Sequence, residues 1–257
     1  MTGPIVPASA ERTAELADAL ARVRARLAAA VRDAGRDAAE VALLPVTKFF
    51  PAADVMALIE LGCTEFGESR EQEAAAKVAG IAGAVPNTSA GTAIRWHMIG
   101  RIQRNKARAV TRWAAAAHSV DSAALVAALG RGAVQALEHG QRRQPLDVYI
   151  QLSLDGDPAR GGVSVDRPGE VDRLCAAADA TPGVRFAGLM AIPPVDSDPA
   201  AQFARLRGEY LRVQTQYPQR LGLSAGMSAD LETAVKYGST CVRVGTALMG
   251  PRPLTSP

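Results

Sequence analysis

The sequence predicts one α/β domain folded as a (β/α)8 TIM barrel, with an extra helix before the first strand. Short apolar strands alternate with helical patterns along nearly all of the 257 residues, which is typical of parallel strands joined by helical crossovers. Eight strand–helix units in a chain of this length are typical of a closed barrel. An open doubly wound sheet is disfavoured, because Lys48-Phe-Phe-Pro stands where its glycine fingerprint would follow the first strand.

The predicted elements follow one another in a regular order. Ala, Leu and Val recur at helical spacing over about 11–33, and Gly35 ends this first helix. The barrel proper spans about 41–250 within a single domain of residues 1–257. Its strands are predicted over 41–47, 65–66 with their neighbours, 95–99, 116–120, 147–153, 185–191, 221–225 and 241–245. Its helices are predicted over 52–61, 70–78, 103–113, 122–138, 168–178, 199–217 and 228–237.

Two segments interrupt this alternation. Residues 79–92 are rich in Gly, Ala, Ser and Pro, and they predict a surface loop. Residues 155–168 carry Gly156, Gly161 and Gly162 after the fifth strand and predict a flexible loop. This second loop lies on the side where strands end, which is where active-site lids are found.

Composition narrows the classes of function. A net charge of +3 without a dense basic run interleaved with aromatics argues against nucleic-acid binding. The apolar stretches are too short to span a bilayer, and the N-terminus lacks a signal-peptide pattern. The cysteines are odd in number and far apart, which predicts free buried thiols in a reducing compartment. We therefore expect a cytoplasmic protein, and a monomer, since no long exposed apolar seam is evident.

The first candidate for chemistry is Lys48, one of four lysines in the chain, which follows an apolar strand. The turn between a strand and the next helix is where α/β barrels place their chemistry. An ammonium group at such a turn can lose its proton by desolvation and attack a carbonyl to give a Schiff base.

The second candidate is a pair of strand ends near the C-terminus. Leu223-Ser-Ala-Gly-Met-Ser228 ends a strand, with Ser228 as the expected N-cap of the next helix, and Val242-Arg-Val-Gly-Thr246 ends another. The loops after strands seven and eight of such barrels often bind phosphate. Ser224, Gly245 and Thr246 would supply hydroxyl and backbone donors, although either motif alone is also consistent with ordinary turn residues.

Arg243 stands within the last strand, where it either points outward or points into the barrel toward a charge or a ring nitrogen. A lysine after the first strand, together with a phosphate site at the last two, suits pyridoxal 5′-phosphate (PLP). Arg243 would then face the pyridine nitrogen and leave it unprotonated, which weakens the cofactor as an electron sink.

The chain also resembles the pyridoxal-phosphate homeostasis proteins, whose barrel is related to the N-terminal domain of alanine racemase. The resemblance runs from about 41 to 250. Its carriers are Val46-Thr-Lys48, Phe66-Gly-Glu68 with Gln72-Glu73, Trp96-His-Met-Ile-Gly100 with Gln103 and Asn105-Lys106, Ser119-Val-Asp-Ser122, Gly188-Leu-Met190, Leu223-Ser-Ala-Gly-Met-Ser228 and Gly238-Ser-Thr-Cys-Val-Arg-Val-Gly-Thr246.

The resemblance implies that Lys48 carries PLP as a Schiff base, that Arg243 lies near the pyridine nitrogen, and that Ser224, Gly245 and Thr246 bind the phosphate. Further candidates for cofactor contact are the motif residues Ser69, His97, Met190, Gly226 and Val244. Ser69 stands where the family usually has Asn. His97 and Met190 are also consistent with core positions. His118 and His139 have no partners at metal spacing, so no metal site is expected.

Two functions from different classes remain open at this point. One is a PLP-dependent racemase or decarboxylase of the alanine racemase type, which needs a second base that alanine racemases take from a further domain. We expect that domain to be absent. The other is a protein without robust catalysis that holds PLP reversibly, for delivery to PLP-dependent apo-enzymes or to amines, and the resemblance implies this role in vitamin B6 and amino-acid homeostasis. An aldolase-type role for Lys48 is disfavoured, because no acid/base partner is evident beside it.

Overall fold

The fold is built around a ring of parallel strands in a computed structural model, which describes residues 5–84 and 94–252. The strands in these ranges are β1 (Ala42–Pro45), β2 (Glu65–Glu68), β3 (Arg95–Met98), β4 (Ala116–Val120), β5 (Leu146–Ser153), β6 (Val163–Ser164), β7 (Val184–Ala191), β8 (Gly222–Ser224) and β9 (Cys241–Val244). Their order is β1-β9-β8-β7-β5-β4-β3-β2, with β6 beside β5. A bridge between Val46 and Gly67 joins β1 to β2. The eight-stranded barrel is therefore confirmed.

Helices cover the outside of the ring. They are α1 (Ala10–Asp33), α2 (Ala52–Glu60), α3 (Glu71–Ala84), α4 (Ala107–Val110), α5 (Ala123–Glu138), α6 (Pro168–Ala180), α7 (Pro199–Gln214), α8 (Leu231–Lys236) and α9 (Thr246–Met249). Short polar side chains begin several of them, because their oxygens accept unpaired N–H groups of the first turn. The caps Ser9, Ser122 and Asp198 act in this way. Among the described residues, no helix has the length and apolar character needed to cross a membrane.

The extra N-terminal helix α1 is part of the core. Its apolar stripe includes Leu16, Leu20 and Val23, which are buried in one cluster with residues of α2, α8 and α9. A second cluster fills the space between β4, β5 and β7 and the helices α5 to α7. The barrel interior holds polar side chains of the strands together with apolar ones such as Leu44 and Val46, which are buried and belong to neither cluster.

The structure corrects the predicted loop over 79–92 at its beginning. Residues 79–84 are the last turns of α3, because Ile81 is buried in the α1 cluster and this packing outweighs the local glycines. The remainder of that predicted loop, 85–92, lies outside the described residues.

The segment 155–168 carries more regular structure than was predicted. It contains a 3-10 turn at Pro158–Arg160 and the strand β6, which pairs with β5 at Leu152 and Ser153. β4 pairs with β5 only as far as Ile150. The short strand therefore continues the sheet where β4 has already ended.

Two helix predictions also need correction. The helix over 103–113 is reduced to a 3-10 turn (Arg104–Lys106) and α4. Just after α4, the Thr111 hydroxyl donates to the Arg108 carbonyl of the helix. Ser228 is not an N-cap. α8 begins at Leu231 after Asp230, whose carboxylate accepts from the Met227 N–H and holds the preceding turn.

Candidate functional site

Lys48 lies in the turn after β1, at the carboxyl end of the barrel. Its side chain is partly buried, and its pKa is lowered first by burial and then by the positive charges of Arg252 and Arg243, with Glu68 acting in the opposite direction. Burial and like charges both favour the neutral amine. An amine in this state is the form that can attack a carbonyl.

A buried ion pair holds the backbone next to Lys48. The Lys77 ammonium donates to the Thr47 carbonyl at 2.9 Å and to the Glu68 carboxylate at 2.6 Å. The Thr47 hydroxyl donates to the same Glu68 oxygen at 2.7 Å. Glu68 is 1% exposed, and its carboxylate is bound by Lys77 and Thr47. Lys48 therefore has a nearby carboxylate that is already committed to another ammonium group.

Phe49 follows Lys48 with a φ of 70°, a region that bulky side chains rarely adopt. Its ring is surrounded by cations, since the guanidinium carbon of Arg252 lies 3.8 Å and that of Arg70 5.1 Å from the ring centroid. The Lys48 Nζ lies 5.6 Å from the same centroid. Attraction between cations and the ring face helps to hold this turn, and it gathers positive charge at the mouth of the barrel.

Arg243 points into the barrel. Its neighbours Val242 and Val244 pack in the outer cluster with α1 and α8, so alternation along β9 turns Arg243 inward. One Arg243 nitrogen donates to the Ser224 hydroxyl at 2.6 Å and another to the Ala191 carbonyl at 3.1 Å. Burial lowers the pKa of this guanidinium, although arginine remains charged.

Hydrogen-bonded side chains continue from Arg243 through the barrel interior. His118 Nδ1 lies 2.8 Å from Ser224 Oγ, and His118 Nε2 lies 2.9 Å from His97 Nδ1. Tyr149 stacks on His118 with ring centroids 4.4 Å apart. Burial lowers the pKa of His97 to about 4, and burial followed by the charges of His97 and Arg243 lowers that of His118 well below its usual value. Both shifts favour the neutral imidazole.

The end of β9 presents backbone donors. In the described part of the chain, the N–H groups of Gly245 and Thr246 have no backbone acceptor. The Ser228 hydroxyl lies beside them and accepts from the Ala247 N–H at 3.2 Å. Gly226 has a φ of 90°, and a Cβ at this position would collide with Ala234 of α8. The packing of α8 against this loop therefore explains the glycine.

The structure separates the other predicted site residues. Ser69 lines an open cavity of about 470 Å³ near the mouth. Met190 is buried on β7, and the Val244 side chain packs outside the ring. His97, on β3, bonds to His118 at 2.9 Å and lies 3.6 Å from Glu65 at the beginning of β2, and neither contact involves Lys48.

Ser224 also has a different environment from the one predicted. It is fully buried, and its hydroxyl is bound to Arg243 and His118 rather than directed at the end of β9. Sequence reasoning missed Lys77, Arg252 and the role of His118. Lys77 and Arg252 lie far from Lys48 in sequence, and β4 is buried at every position, so no alternation marks His118.

Comparisons with known proteins agree with this geometry. The family model described as alanine racemase, N-terminal domain, matches residues 19–253. A pyridoxal phosphate homeostasis protein of Mycobacterium tuberculosis is 56% identical over 251 residues, which is 96% of each chain. The chain therefore belongs to the family of pyridoxal phosphate homeostasis proteins, which have the barrel of the alanine racemase N-terminal domain.

Solved structures are similar over most of the chain. One is an unknown protein from Bifidobacterium adolescentis, with a TM-score of 0.82, 30% identity, and coverage of 96% of this chain and 98% of that one. Another is PipY of Synechococcus elongatus PCC7942 with PLP bound. Its TM-score is 0.73 at 34% identity, and the match covers 91% of this chain and all of PipY.

Proposed function

We propose that this protein binds PLP reversibly through Lys48 and contributes to intracellular vitamin B6 and amino-acid homeostasis without robust catalysis. The observation that carries the proposal is the environment of Lys48, whose pKa is lowered by burial and by Arg252 and Arg243. The family of homeostasis proteins to which the chain belongs supports the proposal, as does the PLP bound to PipY.

The residues present fit this cofactor. Lys48 supplies an amine, and the nearby Glu68 carboxylate is already bound by Lys77. The exposed Gly245–Thr246 turn offers N–H groups to a phosphate. We propose that Ser228, beside this turn, takes the place predicted for Ser224. When bound, PLP supplies an aldehyde that a neutral amine can attack to form a Schiff base.

Arg243 is the residue proposed to face the ring nitrogen. Its guanidinium can only donate hydrogen bonds, so it would hold that nitrogen unprotonated. Such a nitrogen withdraws electrons weakly, which favours holding PLP over reactions that need a strong electron sink. This arrangement supports a binding role.

The positions of the tyrosines support the absence of robust racemase activity. Tyr149 lies inside the barrel against His118. Tyr210 donates to the Leu221 carbonyl before β8, Tyr217 packs on Phe186, and Tyr237 follows α8 before β9. Because these positions belong to the amino-terminal half or the outer layer, none offers a second base across from Lys48. We further propose a monomer that passes PLP to amines or PLP-dependent apo-enzymes.

Borohydride trapping tests the proposal. PLP added to the protein should give an absorbance band typical of a Schiff base, and reduction should fix the cofactor on the peptide that contains Lys48, as measured by mass spectrometry. Lys48→Arg keeps a cation and removes the amine, so it should abolish both signals.

Lys236→Arg is the matched control, because Lys236 is exposed on α8, and it should label like the wild type. Labelling of another lysine in the wild type would remove Lys48 from the proposal. Sustained racemisation of alanine by the PLP-loaded protein, followed by chiral chromatography, would instead support the racemase alternative.

A further inference from the structure

The hydrogen bonds that begin at Arg243 have a defined direction. Arginine has only donors, so Ser224 Oγ must accept the 2.6 Å bond from Arg243. The single Ser224 hydroxyl hydrogen is then available for His118 Nδ1, 2.8 Å away. With Nδ1 as acceptor, a neutral His118 carries its proton on Nε2, from which it donates to His97 Nδ1 at 2.9 Å.

The surroundings of His97, at the far end of this series of hydrogen bonds, are consistent with the same donor-to-acceptor direction. His97 then also carries its proton on Nε2, and that atom lies 3.6 Å from a Glu65 carboxylate oxygen. His97 Nε2 is a buried atom with no hydrogen-bond partner in the described residues. An N–H directed toward a carboxylate is favourable there, whereas a lone pair would be repelled by it. Arg95, at 3.0 Å from Glu65 and 3.2 Å from Asp147, holds this carboxylate pair in place.

Two other protonation patterns are less favourable. If every bond beyond Arg243 were reversed, the Ser224 oxygen would accept from both Arg243 and His118. Among the described residues, its hydrogen would then have only the thiol of Cys241, which is a weak acceptor. If His118 carried a second proton, a buried imidazolium would lie one hydroxyl away from the buried Arg243 guanidinium.

We propose that Ser224, His118 and His97 are positioning residues that lock Arg243, and that both histidines are neutral with the proton on Nε2. Ser224 presents its lone pairs to Arg243 because its hydrogen is committed to His118. The guanidinium is then held by Ser224 and the Ala191 carbonyl, and its remaining donors have no acceptor in the part of the chain that the structure describes. The contact between Arg243 and a ring nitrogen of PLP rests on the proposed function. The protonation pattern of the two histidines does not depend on it.

Nitrogen NMR of the full chain without added PLP tests the protonation pattern. The chain has three histidines, so His97→Gln and His139→Gln suffice to assign the ¹⁵N signals of the imidazoles. His139 is an internal reference of the opposite kind, because its Nδ1 lies 2.6 Å from the Gln135 carbonyl and must carry a proton. We expect Nε2–H for His97 and His118. A proton on His118 Nδ1 would overturn the proposal, whether or not the protein binds PLP.

PLP release tests the positioning role. Loss of one hydrogen bond to the charged Arg243 in Ser224→Ala should speed release of PLP to hydroxylamine roughly tenfold and shift the absorbance of the bound cofactor, while borohydride still labels Lys48. Ser224→Thr keeps a hydroxyl and should restore both values, and His139→Gln should leave both unchanged. A loaded Ser224→Ala protein with the release rate and spectrum of the wild type would overturn the positioning role. Failure of the wild type to bind PLP would overturn the proposed function and leave the NMR result standing.

Discussion

At the scale of single residues, the site depends on how each buried charge is matched. Glu68 is 1% exposed and serves Lys77 and Thr47 rather than Lys48. The sequence identified Lys48 and Arg243, because a lone cation at or beside a strand end is visible in a linear pattern. It did not identify Lys77, which reaches the Thr47 carbonyl from α3, since that contact exists only after the helix packs on the barrel.

Removing the Glu68 charge should destabilise the protein. Glu68→Gln leaves the largely buried Lys77 ammonium without its counter-ion, and such a change lowers the free energy of unfolding by about 3 kcal/mol. Urea-induced unfolding measures the difference. Glu73→Gln breaks the exposed Arg70–Glu73 pair and should change the value by less than about 1 kcal/mol. Similar effects of the two substitutions would contradict the buried pair.

His97 should make stability depend on pH. Its pKa is about 4 in the folded protein, against 6.5 for an unperturbed group, so the unfolded chain binds the proton first as pH falls. Stability from this residue is complete above pH 6.5 and falls by about 3 kcal/mol by pH 4. Burial has the largest effect on the pKa of His97, Arg95 lowers it further, and Asp147 raises it. The pKa of His118 is also lowered, so His118 adds to the loss of stability in acid.

Urea unfolding at several pH values checks this expectation. His97→Gln should reduce the slope of stability against pH between 4 and 6.5, and His139→Gln, at an exposed position, should leave the slope as in the wild type. An unchanged slope in His97→Gln would show that carboxylates alone cause the loss of stability in acid.

At the scale of elements, strand register depends on a few glycines. β5 and β7 shift register between Val148 and Tyr149, and Gly188 has a φ of 149° at this point. A Cβ on Gly188 would collide with the Gly222 carbonyl of β8. Alternation of apolar residues predicted both strands, but the close approach of β7 and β8 at these glycines is a property of the closed ring.

Gly188→Ala should therefore weaken the sheet. We expect a loss of more than about 2 kcal/mol, because the backbone conformation and the collision both oppose the new methyl group. Gly208→Ala is the matched control, since Gly208 lies in α7 and a new Cβ there would have no atom of the described residues within 4 Å. This variant should gain up to about 1 kcal/mol in free energy of unfolding. Thermal unfolding measures both changes, and loss of stability in both variants would contradict this account.

At the scale of the whole molecule, α1 joins the barrel through the apolar cluster that also holds Ile81 and Trp96. Its Arg12 donates to the buried carboxylate of Asp54 in α2 and to the Met249 carbonyl in α9. The helix thus bridges the first and last helices of the barrel. We propose that α1 and the barrel unfold as one cooperative unit, consistent with the single domain that the sequence predicts.

Leu20→Ala tests that cooperativity. Leu20 is 2% exposed in the α1 cluster, so truncation should lower the free energy of unfolding by about 3 kcal/mol. Tryptophan fluorescence and circular dichroism should report the same shifted midpoint in urea. Leu211→Ala, at a half-exposed position on α7, should have a much smaller effect. A circular dichroism transition that precedes the fluorescence transition would indicate that α1 unfolds separately.

The barrel, the extra helix and the position of Lys48 after β1 could be predicted from the amino-acid sequence alone. These follow from periodicity and from the order of elements, which are local properties of the chain. Tertiary structure decided which groups meet inside the ring. Ser224, His118 and Arg243 come from β8, β4 and β9, and their contacts arise because alternation and ring closure direct all three side chains to the same interior. Contacts between strands so far apart in sequence produce no recognisable residue spacing. The buried hydrogen-bond network is therefore visible only in the folded molecule.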